Sequence, residues 1–330
     1  MTSDNVTSFA ISSDDIKALD HPNVEMRRSA FFRNGYPTLP SPEVVRQRAE
    51  TQNTSLGKLH EDEKDSAIWE EEDNLLWRRP PVIFPCMNLI VKWGGLVRRE
   101  EGINMYAIKQ FLPQIPMPEI YGWRTDGEEV FLYMEYIRGR KLDTVLEEMT
   151  HAEHALAIRD LQNMLSDLRL LRQVERDAFV GSMVKTAIYD KTFYRSYIHR
   201  HMYTFDSVQI FNLSLSFNPK YNCEDKVCPV PVHPDPHRAD LPDSNEVRFT
   251  HGDLQPSNVI ISHCRPYRVL AVVDWEEAGW MPGYWEACKA LLKRTRVDEW
   301  SEMYLPVLFE ENSEKVYRAF EWFVQELHRL

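Results

Sequence analysis

Two short apolar runs, residues 259–262 and 269–273, constrain the fold of this chain most strongly. Their β-branched composition predicts the two strands of a hairpin. Asn258 stands directly before the first run, and Asp274 stands directly after the second. Because hairpin strands run in opposite directions, we expect both polar side chains to flank one hairpin.

The segment before this hairpin, residues 251–258, reads His-Gly-Asp-Leu-Gln-Pro-Ser-Asn. Moving a phosphoryl group requires a carboxylate that orients the attacking hydroxyl, and oxygen ligands that hold Mg²⁺. Asp253 fits the first role, and Asn258 and Asp274 fit the second. The alternative is a polar turn between two buried strands, which would need no such combination of three positions.

Length and composition predict an ordinary globular protein. The chain has 330 residues, 43% hydrophobic and 27% charged, enough for two domains or one large two-lobed domain. No apolar run approaches the roughly 20 residues of a membrane span. The N-terminus does not resemble a secretory signal, and five cysteines with no such signal favour reduced thiols and a cytoplasmic location. Cys223 and Cys228 lack the spacing of a zinc pair.

A formal net charge of −12 argues against nucleic acid as a partner and is compatible with a neutral or cationic small substrate. The acidic runs 61–65 and 70–73 are typical of a solvated helix face. His233, Asp235, His237 and Asp240 offer metal-ligand chemistry, but the prolines between them favour an extended loop within the irregular region 218–246.

The order of predicted elements is strand-rich first and helix-rich second, which indicates an α+β protein. Ser41-Pro42-Glu43 predicts a helix start, with the helix continuing to about Gln52. The other predicted strands cover residues 88–94, 120–124 and 130–137, and the other predicted helices cover 99–112, 150–174, 192–203 and the C-terminus. In the C-terminal helix the apolar stripe Ala319, Phe320, Phe323, Val324 and Leu327 indicates core packing.

Lys92 lies on an apolar predicted strand, where a buried ammonium group needs a counter-charge. Glu101 in the next helix is the expected partner, with Glu100 as its competitor, and such a pair would hold nucleotide phosphates. Residues 131–139 predict a strand that leads into a hinge. There the backbone of Glu135 and Ile137 would bind an adenine edge, with Met134 behind it.

Together, the His-Gly-Asp-x-x-x-x-Asn segment, the following Asp-Trp-Glu, Val91-Lys92, and the segments 116–122 and 134–139 resemble the aminoglycoside phosphotransferase superfamily. Residues 279–286 are similar to the fungal branch of phosphotransferase enzyme family proteins. The resemblance covers about residues 80–295. It implies a small β-rich lobe over 80–137 and a helical lobe over 138–330. For the residues before them, 1–79, we expect a helical and acidic extension.

The resemblance also implies a protein-kinase-like fold with ATP between the lobes, and an acceptor pocket near the residues after Asp274. By match to the family pattern, Asp253 is the catalytic base, Asn258 and Asp274 bind Mg²⁺, and Lys92 with Glu101 binds phosphate. One departure is the absence of a glycine-rich segment before Lys92, where backbone amides would approach the phosphates. This departure would lead to looser binding of ATP, or to the use of a different nucleotide or phosphate donor.

Glu276, Trp280 and Trp285 are the candidate acceptor contacts, since aromatic rings and carboxylates suit a cationic group. The alternative is that the tryptophans are core residues. We therefore expect an ATP- and Mg²⁺-dependent kinase of a small-molecule hydroxyl. A non-catalytic kinase-like binding protein is the second hypothesis, and phosphorylation of a protein hydroxyl is a third, disfavoured because Trp-Glu follows Asp274 where protein kinases have Phe-Gly.

Overall fold

The structure is a computed structural model of the whole chain. It describes residues 9–11, 19, 21–59, 79–174, 178–186, 188–193, 204–216, 237–244, 246–293, 298–309 and 313–328. The acidic runs 61–65 and 70–73, the pair Cys223 and Cys228, and His233 with Asp235 lie outside these residues. So does the predicted helix 192–203 beyond the short 3₁₀ helix Lys191–Phe193.

The strands in chain order are β1 Phe9–Ile11, β2 Val24–Glu25, β3 Val82–Phe84, β4 Leu89–Gly94, β5 Ile120–Asp126, β6 Glu129–Glu135, β7 Arg140–Lys141, β8 Leu171–Gln173, β9 Val247–Thr250, β10 Val259–Ile261, β11 Val269–Val272 and β12 Gly279–Pro282. The α-helices are α1 Ala30–Arg33, α2 Pro42–Leu59, α3 Arg99–Phe111, α4 His151–Leu168, α5 Val208–Leu215, α6 Trp285–Leu292, α7 Leu305–Leu308 and α8 Glu314–His328. The predicted α+β composition is confirmed.

Backbone contacts divide the chain into two compact units. The sheet unit comprises residues 18–106 and 118–137, and the helical unit comprises residues 1–17, 107–117 and 138–330. Strand β2 and helix α2 belong to the sheet unit.

The sheet unit is built on a five-stranded antiparallel sheet with the order β2-β5-β6-β4-β3. The predicted hairpin of β5 and β6 turns at Gly127, whose φ of 60° lies in the left-handed region. The Pro-rich stretch that ends in β3 forms an edge strand, as expected where prolines cannot donate to a central ladder.

Helix α2 covers one face of this sheet. It begins at Pro42, and the Ser41 hydroxyl accepts the N–H of Val44 at 3.3 Å, which confirms the predicted helix start. Val45 and Ala49 are buried with Val91, Phe131 and other core residues of the sheet. The helix continues to Leu59, beyond the predicted end near Gln52, because nothing in that stretch stops it: it contains no proline.

The helical unit has its own apolar core, in which α6 packs against α8. The Trp285 ring meets the Phe320 ring edge to face at a centroid distance of 5.1 Å. Ala319, Phe323 and Val324 are buried in the same cluster, so the C-terminal stripe is confirmed as core packing for these residues. Among the described residues, no helix is long and apolar enough to cross a membrane.

Candidate active site

The hairpin of β10 and β11 brings Asn258 and Asp274 together, as the sequence predicted. Val259 is paired with Val272 in the antiparallel ladder, and the N–H of Val273 donates to the carbonyl oxygen of Asn258 at 2.9 Å. Asp274 follows with φ 66° and ψ 62°, a left-handed conformation that turns the chain out of the strand. Both residues therefore lie at the same end of the hairpin.

The side chains at this end supply oxygen atoms. The Asn258 amide donates its Nδ2 to the carbonyl oxygen of Asp253 at 2.8 Å, which orients the group and leaves its Oδ1 as an acceptor. Carboxylate oxygens of Asp274 and Glu276 lie within 4.8 Å of each other. Carboxylate and amide oxygens are the ligands that Mg²⁺ prefers, so the donor set fits this ion.

Asp253 is buried, and both of its carboxylate oxygens have polar partners. Gln255 donates its Nε2 to Oδ1 at 3.1 Å, and the Lys293 ammonium group also contacts Oδ1. The Lys191 ammonium lies 3.4 Å from Oδ2 and 3.2 Å from an oxygen of Glu276. Each carboxylate oxygen of Asp253 is thus paired with a lysine ammonium group.

His251 fixes the backbone around Asp253 and does not carry charge. Its Nδ1 accepts the N–H of Asp253 at 3.1 Å, so its proton is on Nε2, which donates to the carbonyl oxygen of Val273 at 3.0 Å. Burial lowers the pKa of the imidazole to about 4. The ring therefore ties the segment 251–258 to the end of β11 as a neutral group.

Gly252 allows the segment 251–258 to pass close to the backbone of Glu277. Its φ is +79°, and a Cβ built at this position would lie 2.5 Å from the carbonyl oxygen of Glu277. Only glycine has both the conformational freedom and the missing side chain that this approach requires.

Glu286, near the start of α6, anchors the same segment from the other side. Its two carboxylate oxygens accept the N–H groups of His251 at 2.5 Å and Gly252 at 3.1 Å. Burial raises the pKa of Glu286 to about 7, although the two amide hydrogen bonds act in the opposite direction. The segment 251–258 is thereby fixed to a core helix.

A second set of buried charges lies under the site. The Lys289 ammonium contacts Asp190, lies 2.8 Å from an oxygen of Glu277 and donates to the Thr192 hydroxyl at 2.9 Å. The Trp285 indole also donates to Asp190. Burial acts to raise the pKa of Asp190, but the neighbouring ammonium outweighs it and the net shift is downward. Burial raises the pKa of Glu277 to about 7.

The candidate acceptor residues differ in their surroundings. Trp280 is 1% exposed and packs edge to face on Phe249, while Trp285 is fully buried and stacks on Phe193. Both side chains are thus buried among core residues. Glu276 is buried beside Lys191.

In the sheet unit, Lys92 and Glu101 form the expected pair, with Nζ 2.8 Å from the carboxylate. The competitor Glu100 lies 3.4 Å from Arg98 instead. Of the expected adenine contacts, Met134 is buried in β6, and Glu135 donates its N–H to the carbonyl oxygen of Glu119 at 2.8 Å. Ile137 is the last residue of the unit.

The connection before Lys92 is a short 3₁₀ turn without glycine. It covers Pro85–Met87 and ends at Asn88, which has a φ of 47°. The absence of a glycine-rich segment therefore corresponds to a compact turn between β3 and β4.

Sequence reasoning missed several charged residues that lie around the segment 251–258. Lys289 had a signal, since a lysine in the apolar helix Trp285–Leu292 requires a buried counter-charge. Glu286 had a weaker one as an acidic residue in the first turn of that helix. Asp190 and Lys191 had none, because their role depends on contacts with residues distant in sequence.

Residues 227–323 match the model of a family described as "Phosphotransferase enzyme family". A search of curated protein sequences finds no significant match to the chain.

Among solved structures, the chain is similar to an aminoglycoside phosphotransferase APH(3'')-Id from Streptomyces rimosus, with 14% identity, TM-score 0.44, and coverage of 84% of this chain and 98% of that one. It is also similar to a thermostable mutant of aminoglycoside phosphotransferase APH(4)-Ia in ternary complex with AMP-PNP and hygromycin B, with 12% identity, TM-score 0.43, and coverage of 73% and 79%. A third similar structure is a complex of gentamicin with APH(2")-IIa, with 12% identity, TM-score 0.43, and coverage of 72% of this chain and 74% of that one.

The matched segment 227–323 contains Asp253, Asn258 and Asp274, together with Glu286 that anchors them. This part of the chain therefore carries the sequence pattern of the phosphotransferase enzyme family.

Proposed function

We propose that the chain is an ATP- and Mg²⁺-dependent phosphotransferase that phosphorylates a hydroxyl group of a small molecule. The observation that carries the proposal is the convergence of Asp253, Asn258 and Asp274 around one hairpin end, with the Asn258 amide bonded to the Asp253 backbone at 2.8 Å. The match of residues 227–323 to a phosphotransferase family supports the same reaction class.

In this proposal Asp253 accepts a hydrogen bond from the acceptor hydroxyl and takes its proton as the phosphoryl group is transferred. Asn258 and Asp274 hold Mg²⁺, and Glu276 lies close enough to Asp274 to act through the same ion. When bound, Mg²⁺ neutralises negative charge on the phosphate oxygens. Lys92, held by Glu101, binds phosphate of the nucleotide in the sheet unit.

Purified full-length chain incubated with γ-labelled ATP and a panel of hydroxylated metabolites tests the proposal. We expect label transfer that requires Mg²⁺ and falls at least about a hundredfold in Asp253→Ala. Asp240→Ala removes a carboxylate that pairs with the exposed Lys315, and it should leave transfer unchanged. Turnover that is the same in Asp253→Ala would refute the role of Asp253.

A non-catalytic binding protein is the second candidate, favoured by the engagement of both Asp253 oxygens by lysines and by the glycine-free turn before Lys92. A metabolite that raises the melting temperature without forming product would support it. Incubation with lysate proteins and labelled ATP addresses the protein-kinase hypothesis, because labelled protein bands would count against a small-molecule acceptor.

A further inference from the structure

Three lysines lie at or beneath the segment 251–258, and their side chains differ sharply in solvent exposure. The side chain of Lys289 is 2% exposed, whereas those of Lys191 and Lys293 are 38% and 25% exposed. Burying an ammonium group costs free energy unless all its donors are paired. We therefore consider the buried lysine and the two partly exposed lysines separately.

Lys289 is accounted for by the fold. Its ammonium contacts the buried carboxylates of Asp190 and Glu277 and the Thr192 hydroxyl, which together satisfy its three donors. It neutralises charge in the core under the site.

Lys191 and Lys293 occupy a different position, because both contact the carboxylate of Asp253. Lys293 contacts Oδ1, and Lys191 lies 3.4 Å from Oδ2. The Asp253 side chain is 0% exposed, while the two lysine side chains border solvent. The two lysine side chains are therefore more accessible to a ligand than the carboxylate they contact.

We propose that Lys191 and Lys293 form a phosphate-binding pair that contacts the phosphoryl group while it is transferred at Asp253. This inference rests on the proposed function and adds two residues to its chemistry. The hydroxyl that donates to Asp253 must also lie next to the phosphorus atom it attacks. Phosphoryl oxygens then come within reach of ammonium groups that already touch Asp253, and lysine binds phosphate as a point charge.

The transfer step balances without any further reactant. The acceptor oxygen forms a bond to the γ-phosphorus, and the bond from that phosphorus to the bridging oxygen breaks, with its electron pair leaving on ADP. The hydroxyl proton passes to the Asp253 carboxylate, and both lysines stay protonated throughout. As the ammonium groups turn toward the phosphoryl oxygens, an oxygen of Asp253 becomes free to accept that proton.

The same arrangement bears on the expected acceptor chemistry. The sequence favoured a cationic acceptor group near Glu276, Trp280 and Trp285. Two ammonium groups repel a cation at Asp253 itself. Lys191 also lies 3.2 Å from Glu276 and 3.4 Å from Glu277, so nearby carboxylates balance the lysines and the pair does not by itself select an anionic acceptor.

Binding of inorganic phosphate tests the pair without requiring turnover. In Asp253→Asn both lysines lose a counter-charge, so phosphate affinity measured by calorimetry at low salt should rise about tenfold over the unsubstituted chain. Adding Lys293→Met or Lys191→Met to this variant should reverse the gain, whereas Lys293→Arg should retain it. Lys315→Met, on the surface of α8, is the control and should change nothing. Phosphate affinity that is indifferent to both methionine substitutions would overturn the proposal.

Hydrolysis of MgATP, with water as the acceptor, tests the role in transfer. We expect Lys293→Met and Lys191→Met each to lower kcat about a hundredfold while KM for MgATP changes much less. A rise in KM with kcat unchanged would contradict contact with the transferring group. If the unsubstituted chain shows no turnover with any acceptor, the proposed function fails, and the phosphate titration still decides the binding pair.

Discussion

The carboxylate of Glu286 accepts the backbone N–H of His251 at 2.5 Å, across 35 positions of the chain. Its other oxygen accepts the N–H of Gly252. One side chain at the start of α6 thus satisfies two consecutive amides of the segment that presents Asp253.

Glu286→Gln should loosen this segment. The new NH₂ group would face a backbone N–H, leaving one buried donor unpaired, so we expect a loss of about 1–3 kcal/mol in unfolding free energy. We also expect a fall in kcat, since Asp253 would be less well positioned. Urea unfolding and MgATP turnover measure the two effects. Glu302→Gln changes an exposed glutamate and serves as the control. Equal stability of the two variants would show that Glu286 does not anchor the segment.

Gly252→Ala should lower the free energy of unfolding by more than the loss of glycine's conformational freedom alone explains. The matched control is Gly127→Ala: its φ is +60° but a Cβ there meets nothing within 4 Å, so it should cost only about 1–2 kcal/mol. At Gly252 the Cβ would also lie 2.5 Å from the Glu277 carbonyl oxygen. Thermal unfolding of the two variants separates backbone strain from the steric clash. Similar melting temperatures would argue against the close approach.

His251 should make the fold sensitive to acid. Its pKa is about 4 in the folded chain against 6.5 for an unperturbed imidazole, so the unfolded state binds more protons between these values. Its contribution is therefore intact above pH 6.5 and is lost as the pH falls toward 4, by up to about 3 kcal/mol.

Unfolding free energies in urea between pH 4 and 7 measure this dependence. Glu286, with its pKa raised to about 7, contributes the opposite slope, because its protonated form is favoured in the folded chain. The comparison must therefore be made with His251→Asn, which removes only the imidazole titration. Parallel pH profiles for the chain and this variant would exclude a buried neutral imidazole.

Lys92 and Glu101 should show different effects on stability and on activity. Lys92→Met leaves the buried Glu101 carboxylate without its ammonium partner and should cost roughly 1–3 kcal/mol. The double variant Lys92→Met with Glu101→Leu should recover stability, because both charges are removed. It should not recover MgATP turnover, which needs the ammonium group itself. Recovery of both properties would assign the pair a purely structural role.

The parts of this fold that could be predicted from the sequence are those determined by residues close together in the chain. The Ser41-Pro42 helix start and the Thr125-Asp126-Gly127 turn follow from residues adjacent in the chain. The approach of Asn258 to Asp274 also follows from local pattern, since two short apolar runs form one hairpin.

The parts that sequence did not predict depend on distant contacts. Nothing near Asp190 indicates that it will pair with Lys289, 99 positions away. Trp280 and Trp285 are residue types that often line ligand-binding surfaces. Their burial depends on distant partners, since Trp280 packs on Phe249, and Trp285 packs on Phe193 and Phe320. The spacing of the motif residues therefore indicates the reaction class, whereas the acceptor contacts stay a prediction.

The register of β10 and β11 has a consequence for finding related chains. Asn258 and Asp274 are neighbours because of cross-strand pairing, and the connection between the strands closes separately, where the N–H of Ser262 donates to the carbonyl oxygen of Arg268 at 3.0 Å. Insertions or deletions in that connection would leave the distance between the two side chains unchanged. A search pattern for such sites should therefore fix the spacing from Asp253 to Asn258 and allow a gap of variable length before the second aspartate.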